Sequence, residues 1–587
     1  MGRDALGDVG KGCGRRLLRR GVAVGGLTAL LLATLALAVA SLDDGEVRGV
    51  ADGDNSYMDE ASYVGSEECS DCHKGPHGTW AGTLHAAAFA EATRNTVKGN
   101  WALDPTIEVR PGVEVTLDLL DNGTGFYVDL DGTGTHVYRV DHVQGAGRWL
   151  QVFLTTRGGS RYILPVAWSN TTEAWVPFHA GEWYDGGGRP VMAARDRAWD
   201  LRCAACHVTG GGVTYNDTTG EWTATWEETG VGCEACHGPG GLHVDPPGGE
   251  YGTEHIWRTE DSALCGNCHA GVTSVGTVGG EHAGYPLSTG GRTIRPGDDH
   301  GDFLTPDPDL HPDGETARGQ AMQYNEHVTS RHSSSLTTLL ASGGRQDACL
   351  ACHSTDHMLA REGREPTLET ALYDVECARC HDSHGTEDGS DLRLDRWETC
   401  VQCHRNGDRG PGERPVYSQR EVVSGEVPLD GLDGDPWMGG QVLCTDCHMA
   451  PMGVRGGAAD GPSHTFSPVG PERSIDLGMP NSCTVACHGE DTPGSTLTDE
   501  EALAYLEGRS AAIEGLMEEA GEALALAEDA LGEAGDLGFF EAQVEAANST
   551  YVTAVFALEL LEADGSMVHN PDLQMEVLNH SIAGSRE

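Results

Sequence analysis

Eighteen of the 19 cysteines fall into nine short motifs that each end in histidine. In chain order, sites 1 to 4 are Cys69, Cys72 and His73; Cys203, Cys206 and His207; Cys233, Cys236 and His237; and Cys265, Cys268 and His269. Sites 5 to 8 are Cys349, Cys352 and His353; Cys377, Cys380 and His381; Cys400, Cys403 and His404; and Cys444, Cys447 and His448. Site 9 carries one extra residue between its thiols, as Cys483, Cys487 and His488. Two thiols about one helical turn apart can add across the two vinyl groups of a porphyrin, and the following histidine then reaches the iron. This is the spacing of c-type haem attachment. A cysteine meets the right cysteine and histidine by chance only about once in a thousand, so eight regular sites are decisive. Zinc ribbons need no histidine after the second thiol, and a disulfide framework needs none at all. The cofactor expectation is nine covalently bound c-type haems, with Cys13 left over.

A chain of 587 residues shared among nine such groups is too short to wrap each in an ordinary core, so the haems are expected to form much of the core themselves. With 82 glycines and 6% aromatic residues, the expected fold is mostly irregular and α-helical around a porphyrin stack. A β-hairpin insert and a C-terminal long helical hairpin are the expected exceptions. Net charge is −53, which disfavours nucleic acid and acidic membrane surfaces. Lys11, Lys74 and Lys98 are the only lysines among 38 basic residues. Adaptation to salt and compositional drift both account for this balance; the arginines suit buried propionates.

Arg15, Arg16, Arg19 and Arg20 precede an apolar run from Gly21 to Ala40 that ends in Ala38-Val39-Ala40. Residues 1–40 therefore read as an export signal, and the length of the run also fits an uncleaved membrane anchor. Residues 41–66 read as a flexible tether. Export places the protein in the periplasm or at the cell surface.

A four-haem module is expected over 67–314. Its opening, YVGSEECSDCHKGPHGTWAGTLHAAAF, together with CAACHVTGGG and VGCEACHGPGGLH, resembles the tetrahaem cytochrome that accepts electrons from hydroxylamine oxidoreductase. The resemblance implies that His85 and His243 are distal iron ligands. Within the module, residues 106–178 alternate as TIEVRPGVEVTLDLL, GFYVDLDG and HVYRV, broken at Asp121-Asn122-Gly123 and Asp131-Gly132, which predicts β-hairpins. Packing over a haem edge and docking a partner both suit such an insert. His136, His142 and His179 lie in or beside it.

Residues 315–495 form the expected five-haem module, after a Gly, Pro and Asp-rich connection. It opens on QYNEHVTSRHSSSL with His332; His384 in CHDSHG and His464 in SHTF stand in phrases similar to recurrent distal-ligand phrases of multihaem cytochromes. From Thr498, TDEEALAYLEGRS begins an amphipathic helix of some nine turns with a capping box to Glu501. A second helix is expected from Phe540 to Glu562, the two making up 496–587 with a tail. This end resembles the pentahaem nitrite reductase and octahaem hydroxylamine oxidoreductase superfamily, which implies a late ligand at His569 and a homo-oligomer through the long helices.

The chain has 26 histidines, so two imidazoles per iron can be supplied throughout. The preferred distal set is His85, His243, His332, His384, His464 and His569, with His77, His142, His179, His300 and His357 competing for the rest. Irons with two imidazoles pass electrons and leave no coordination site for substrate. The leading expectation is an electron conduit between redox protein partners or a membrane quinol-linked complex and an external acceptor. The other is a reductase or oxidase of nitrite, hydroxylamine or a sulfur oxyanion at one five-coordinate haem. The lysine that marks the open haem in the nitrite reductases is absent from all nine motifs. Tyr324 and Tyr551 are available for the crosslink found in the hydroxylamine oxidoreductases.

Overall fold

A computed structural model describes residues 55–586 except 146–148, 247–254, 271–276, 279, 283–286, 289–290, 299–322, 387–390, 433, 451–453, 456–457, 460–461, 478–480, 489–495 and 538–540. The export segment, Cys13, His300 and the boundary near 315 lie outside the described residues, as does the side chain of Cys487. From Asn55 onward the N-terminal segment is docked: Met58 is 2% exposed, and Arg295 donates to the Met58 carbonyl at 2.6 Å and to the Asp59 carboxylate at 2.6 Å.

Residues 89–177 build a five-stranded antiparallel sheet in chain order: β1 (Phe89–Glu91), β2 (His142–Gln144), β3 (Leu150–Arg157), β4 (Ser160–Ser169) and β5 (Ala174–Pro177). The β3–β4 hairpin turns on Gly158 and Gly159, whose φ angles of +65° and +123° require glycine. Two smaller sheets precede β2. Thr106–Arg110 pairs with Val113–Thr116, and Asp118–Asp121, Phe126–Asp129 and Val137–Arg139 form a three-stranded meander. In the meander, Asn122 Oδ1 accepts from the N–H groups of Thr124 and Gly125, which shapes the turn that Gly123 completes.

Regular structure is more widespread than the sequence suggests. A hairpin of Gly212–Asn216 and Glu221–Thr225 extends the β region beyond residue 178, and Phe89–Glu91 joins it from before residue 106. The largest apolar cluster of the described residues is here and includes Phe89, Leu117, Phe153, Leu164, Trp183 and Trp199. Alternating strands pool their inward side chains where short haem-bearing turns cannot, so an ordinary core forms beside the attachment sites. It is locked to site 2 through Asp200, 0% exposed, which takes the Arg161 guanidinium and the backbone N–H groups of Arg161 (2.6 Å) and Ala224 (2.7 Å). Asp200 lies just before Cys203, so the strand positions the helix that starts the motif.

The C-terminus is a bundle of α1 (Asp499–Leu537), α2 (Glu541–Asp564) and α3 (Pro571–Arg586). The capping box closes reciprocally: Thr498 N–H donates to Glu501 at 2.9 Å, and Glu501 N–H donates to Thr498 Oγ1 at 3.2 Å. The tail expected after the helical hairpin is itself the third helix. Pro571 begins it, where a missing N–H costs nothing, and Leu573, Val577, Leu578 and Ile582 bury against Ile513, Phe556 and Leu560. Among the described residues no helix is long and apolar enough to cross a membrane.

Candidate haem-binding sites

Each motif folds into a short helical turn. The histidine N–H donates to the first cysteine carbonyl in site 1 (2.9 Å), site 4 (2.9 Å), site 6 (3.0 Å) and site 7 (3.1 Å). Thiols and imidazole therefore emerge on one side of the turn. At site 9 the extra residue is absorbed by a π-helical turn over Thr484–His488, which keeps the histidine in step without a loop.

Six of the nine motif imidazoles face another imidazole. His73 faces His243 with ring centres 6.4 Å apart, His237 faces His384 at 6.0 Å, and His269 faces His85 at 6.0 Å. His381 faces His464 at 6.2 Å, His404 faces His332 at 6.2 Å, and His448 faces His569 at 6.0 Å. Two metal–nitrogen bonds of about 2 Å, with about 1 Å from each nitrogen to its ring centre, require a separation of about 6 Å. Nδ1 is held from behind in several rings, which leaves Nε2 for a metal. His237 Nδ1 lies 2.8 Å from the Trp257 carbonyl, His448 Nδ1 3.0 Å from that of Phe466, and His569 Nδ1 3.0 Å from the Asp564 carboxylate. Burial pushes His85, His207, His332 and His464 down to about 4, so these rings are neutral at neutral pH, as metal ligands must be.

Every facing ring comes from a segment that belongs to another site. His85 follows site 1 and faces site 4, His243 follows site 3 and faces site 1, and His384 follows site 6 and faces site 3. The last of these joins the two halves of the chain. Attachment sulfurs also meet in pairs: Cys69 with Cys233, Cys206 with Cys268, Cys265 with Cys377, Cys352 with Cys403, and Cys400 with Cys444. Cys403 also acts electrostatically on Cys380 and lies 3.4 Å from the Arg379 guanidinium of site 6. These contacts join sites 1 and 3; sites 2, 4 and 6; and sites 5, 6, 7 and 8. Cys268 acts electrostatically on Cys236, which links sites 3 and 4, so eight sites form one branched network.

His207 and His353 face no histidine among the described residues. Tyr417 lies 6.4 Å from His353 and, closer still, 5.8 Å from His404. Tyr324 instead lies against Gly266, and Tyr551 sits on α2. The competing histidines are held elsewhere: His77 packs on Trp80, His136 pairs with Asp131 at 2.9 Å, His142 stacks on Phe89 at 5.0 Å, and His179 lies 3.5 Å from Glu182. His357 lies in the short helix Thr355–Leu359.

Two supporting residues carried no signal that sequence reasoning used. Glu234, inside the third motif and 3% exposed, accepts from Val64 (2.9 Å), Gly65 (2.8 Å) and Gly240 (2.7 Å), tying sites 1 and 3 together. Arg379, inside the sixth motif, is 4% exposed, and its Nε and Nη1 have no acceptor among the described residues. A buried guanidinium left half-satisfied suits a carboxylate-bearing group such as a haem propionate. The facing rings, the sulfurs and this guanidinium all fit haem, which when bound supplies one-electron iron chemistry.

Comparison with known proteins gives the same class. The cytochrome c552 family matches residues 436–587, a doubled CXXCH motif matches 371–409, and cytochrome c554 and c-prime matches 187–238 and 314–382. No curated protein matches. Among solved structures, the outer cell wall cytochrome OcwA superposes with a TM-score of 0.69 at 25% identity, over 89% of this chain and 99% of that one. An undecahaem cytochrome from the S-layer of Carboxydothermus ferrireducens superposes with a TM-score of 0.52 at 18% identity, over 96% of this chain and 73% of that one. With its repeated attachment motifs and this fold, the chain is a multihaem c-type cytochrome that binds haem covalently.

Proposed function

We propose that the protein is an exported nonahaem electron conduit that works at the cell surface. The six facing imidazole pairs carry this reading, because an iron held on both sides can only exchange electrons. The sulfur contacts support it, since abutting porphyrin edges suit successive one-electron transfers. The cell-surface assignment draws on the superposed cytochromes, one from an outer cell wall and one from an S-layer. The proposed donor is a redox protein or a membrane quinol-linked complex, and the acceptor is external. The C-terminal bundle is the proposed site of self-association.

A second reading is favoured by His207 and His353. Among the described residues neither faces a second imidazole, and a haem open on that face can bind a small nitrogen or sulfur compound there, with Tyr417 near the His353 site. Low-temperature EPR of the ferric protein tests both readings. Six low-spin bis-imidazole haems are expected, with nine haems by pyridine haemochrome. Fewer than six low-spin haems would refute the conduit as drawn. No high-spin haem, or none that binds nitrite or hydroxylamine, would refute the second reading.

A further inference from the structure

Site 6 is the waist of the network, meeting site 4 through Cys265 and Cys377 and site 7 through Arg379, whose guanidinium lies against Cys403. Its two sides carry opposite charge. On the site 4 side lie Asp261 and Glu376, with the Glu376 carboxylate accepting from Ser262 N–H at 3.1 Å. Asp261 caps the following turn at Ala263 N–H (2.7 Å), whereas Asp374 takes the Leu336 N–H at 2.6 Å beside site 5. On the other side the Arg379 guanidinium donates to the Ala351 carbonyl at 2.7 Å and lies 3.4 Å from Cys403 Sγ. It acts electrostatically on Cys352, Cys380 and Cys403, one sulfur from each of sites 5, 6 and 7. Arg405 adds to it at Cys352 and Cys403; Arg393 is offset by its own partner, Asp382, at 2.9 Å.

A guanidinium does not titrate in proteins, so this charge is permanent. Placed among three haems, and neutralising a propionate that pairs with it, it stabilises their reduced, more negative forms. We propose that Arg379 sets the direction of electron flow across the waist, by holding the haems of sites 5, 6 and 7 at higher potential than the haem of site 4. The proposal rests on the conduit reading and adds a direction to it. A unit charge on the order of 10 Å away at an effective dielectric of about 20 changes a reduction equilibrium on the order of tenfold.

The test is a potentiometric titration of the loaded full-length protein, followed by visible and EPR spectra, in wild type, R379Q and R379K. In wild type at least three haems should reduce ahead of the rest; fewer would overturn the proposal whatever the variants do. In R379Q those haems should become about tenfold harder to reduce, about 59 mV for one electron. R379K, which keeps the charge without the fork, should stay close to wild type. An unshifted R379Q with nine haems overturns the proposal, and so does an R379K that shifts as far as R379Q, because packing rather than charge would then be responsible. A loss of haem or of bis-imidazole signals in wild type would instead refute the conduit reading.

Discussion

His384 offers the sharpest test of how the two halves interlock. It leaves the chain just after site 6, yet its ring lies parallel to His237 of site 3, 6.0 Å away and tilted by 4°. That gap accepts one metal ion with two bonds of about 2 Å. His384→Ala removes one of these bonds and leaves the His237 bond, itself held by the Trp257 carbonyl at 2.8 Å. The haem should therefore stay attached by its thioethers and gain one open face. The expected change is one additional high-spin haem per chain in EPR, and carbon monoxide binding by the reduced protein that rises by one equivalent. His136→Ala is the control, since His136 is committed to Asp131 at 2.9 Å within the β region, and it should leave both readings unchanged. An unchanged carbon monoxide stoichiometry in His384→Ala would show that the facing rings do not share an iron, and the argument from the other five pairs would fall with it.

Further outcomes follow from the groups behind the sites. Asp564→Asn removes the buried negative charge 3.0 Å from His569 Nδ1, a charge that outweighs burial and raises this imidazole. A less electron-rich ligand should make the site 8 haem easier to reduce, on the order of tenfold, as read by redox titration; an unchanged or lower potential would contradict this. Asp200→Ala strands the Arg161 charge in the β core and should cost about 3–5 kcal/mol in denaturant unfolding. A loss below about 1 kcal/mol would mean that water reaches the pair. Burial pushes the Glu376 carboxyl up to about 7, and the neighbouring Asp261 and Asp374 push the same way. Reduction of an adjacent haem adds negative charge and raises its proton affinity further. The potential should therefore fall with rising pH from about 7 upward, until the reduced form also loses its proton. Glu376→Gln should flatten this slope, and an equal slope in the variant would assign the proton elsewhere.

The local chemistry was legible because it is local. A thiol, a second thiol and an imidazole within five residues declare their product wherever the turn ends up, and the capping box of Thr498 and Glu501 likewise needs only its own four residues. The same locality shows at site 9, where the inserted residue is visible in the sequence, although its absorption into a π-helical turn is not. Sequence phrases also singled out His85, His243, His332, His384, His464 and His569, but carried nothing about which partner each would face. His384 opposite His237 and His569 opposite His448 are contacts across more than a hundred residues, set by packing of segments and not by spacing along them. Glu234 and Arg379 stand between two motif cysteines, where residue type alone suggests a solvated surface charge; only the approach of other segments buries them. The third helix was hidden for a related reason, since its apolar residues acquire a face only against Ile513 and Phe556. Composition and spacing thus specify what is attached, because covalent chemistry reads neighbours in the chain. The pairing of imidazoles, the branching of the network and the charge across its waist are decided by contacts distant in sequence, which exist only once the chain has folded.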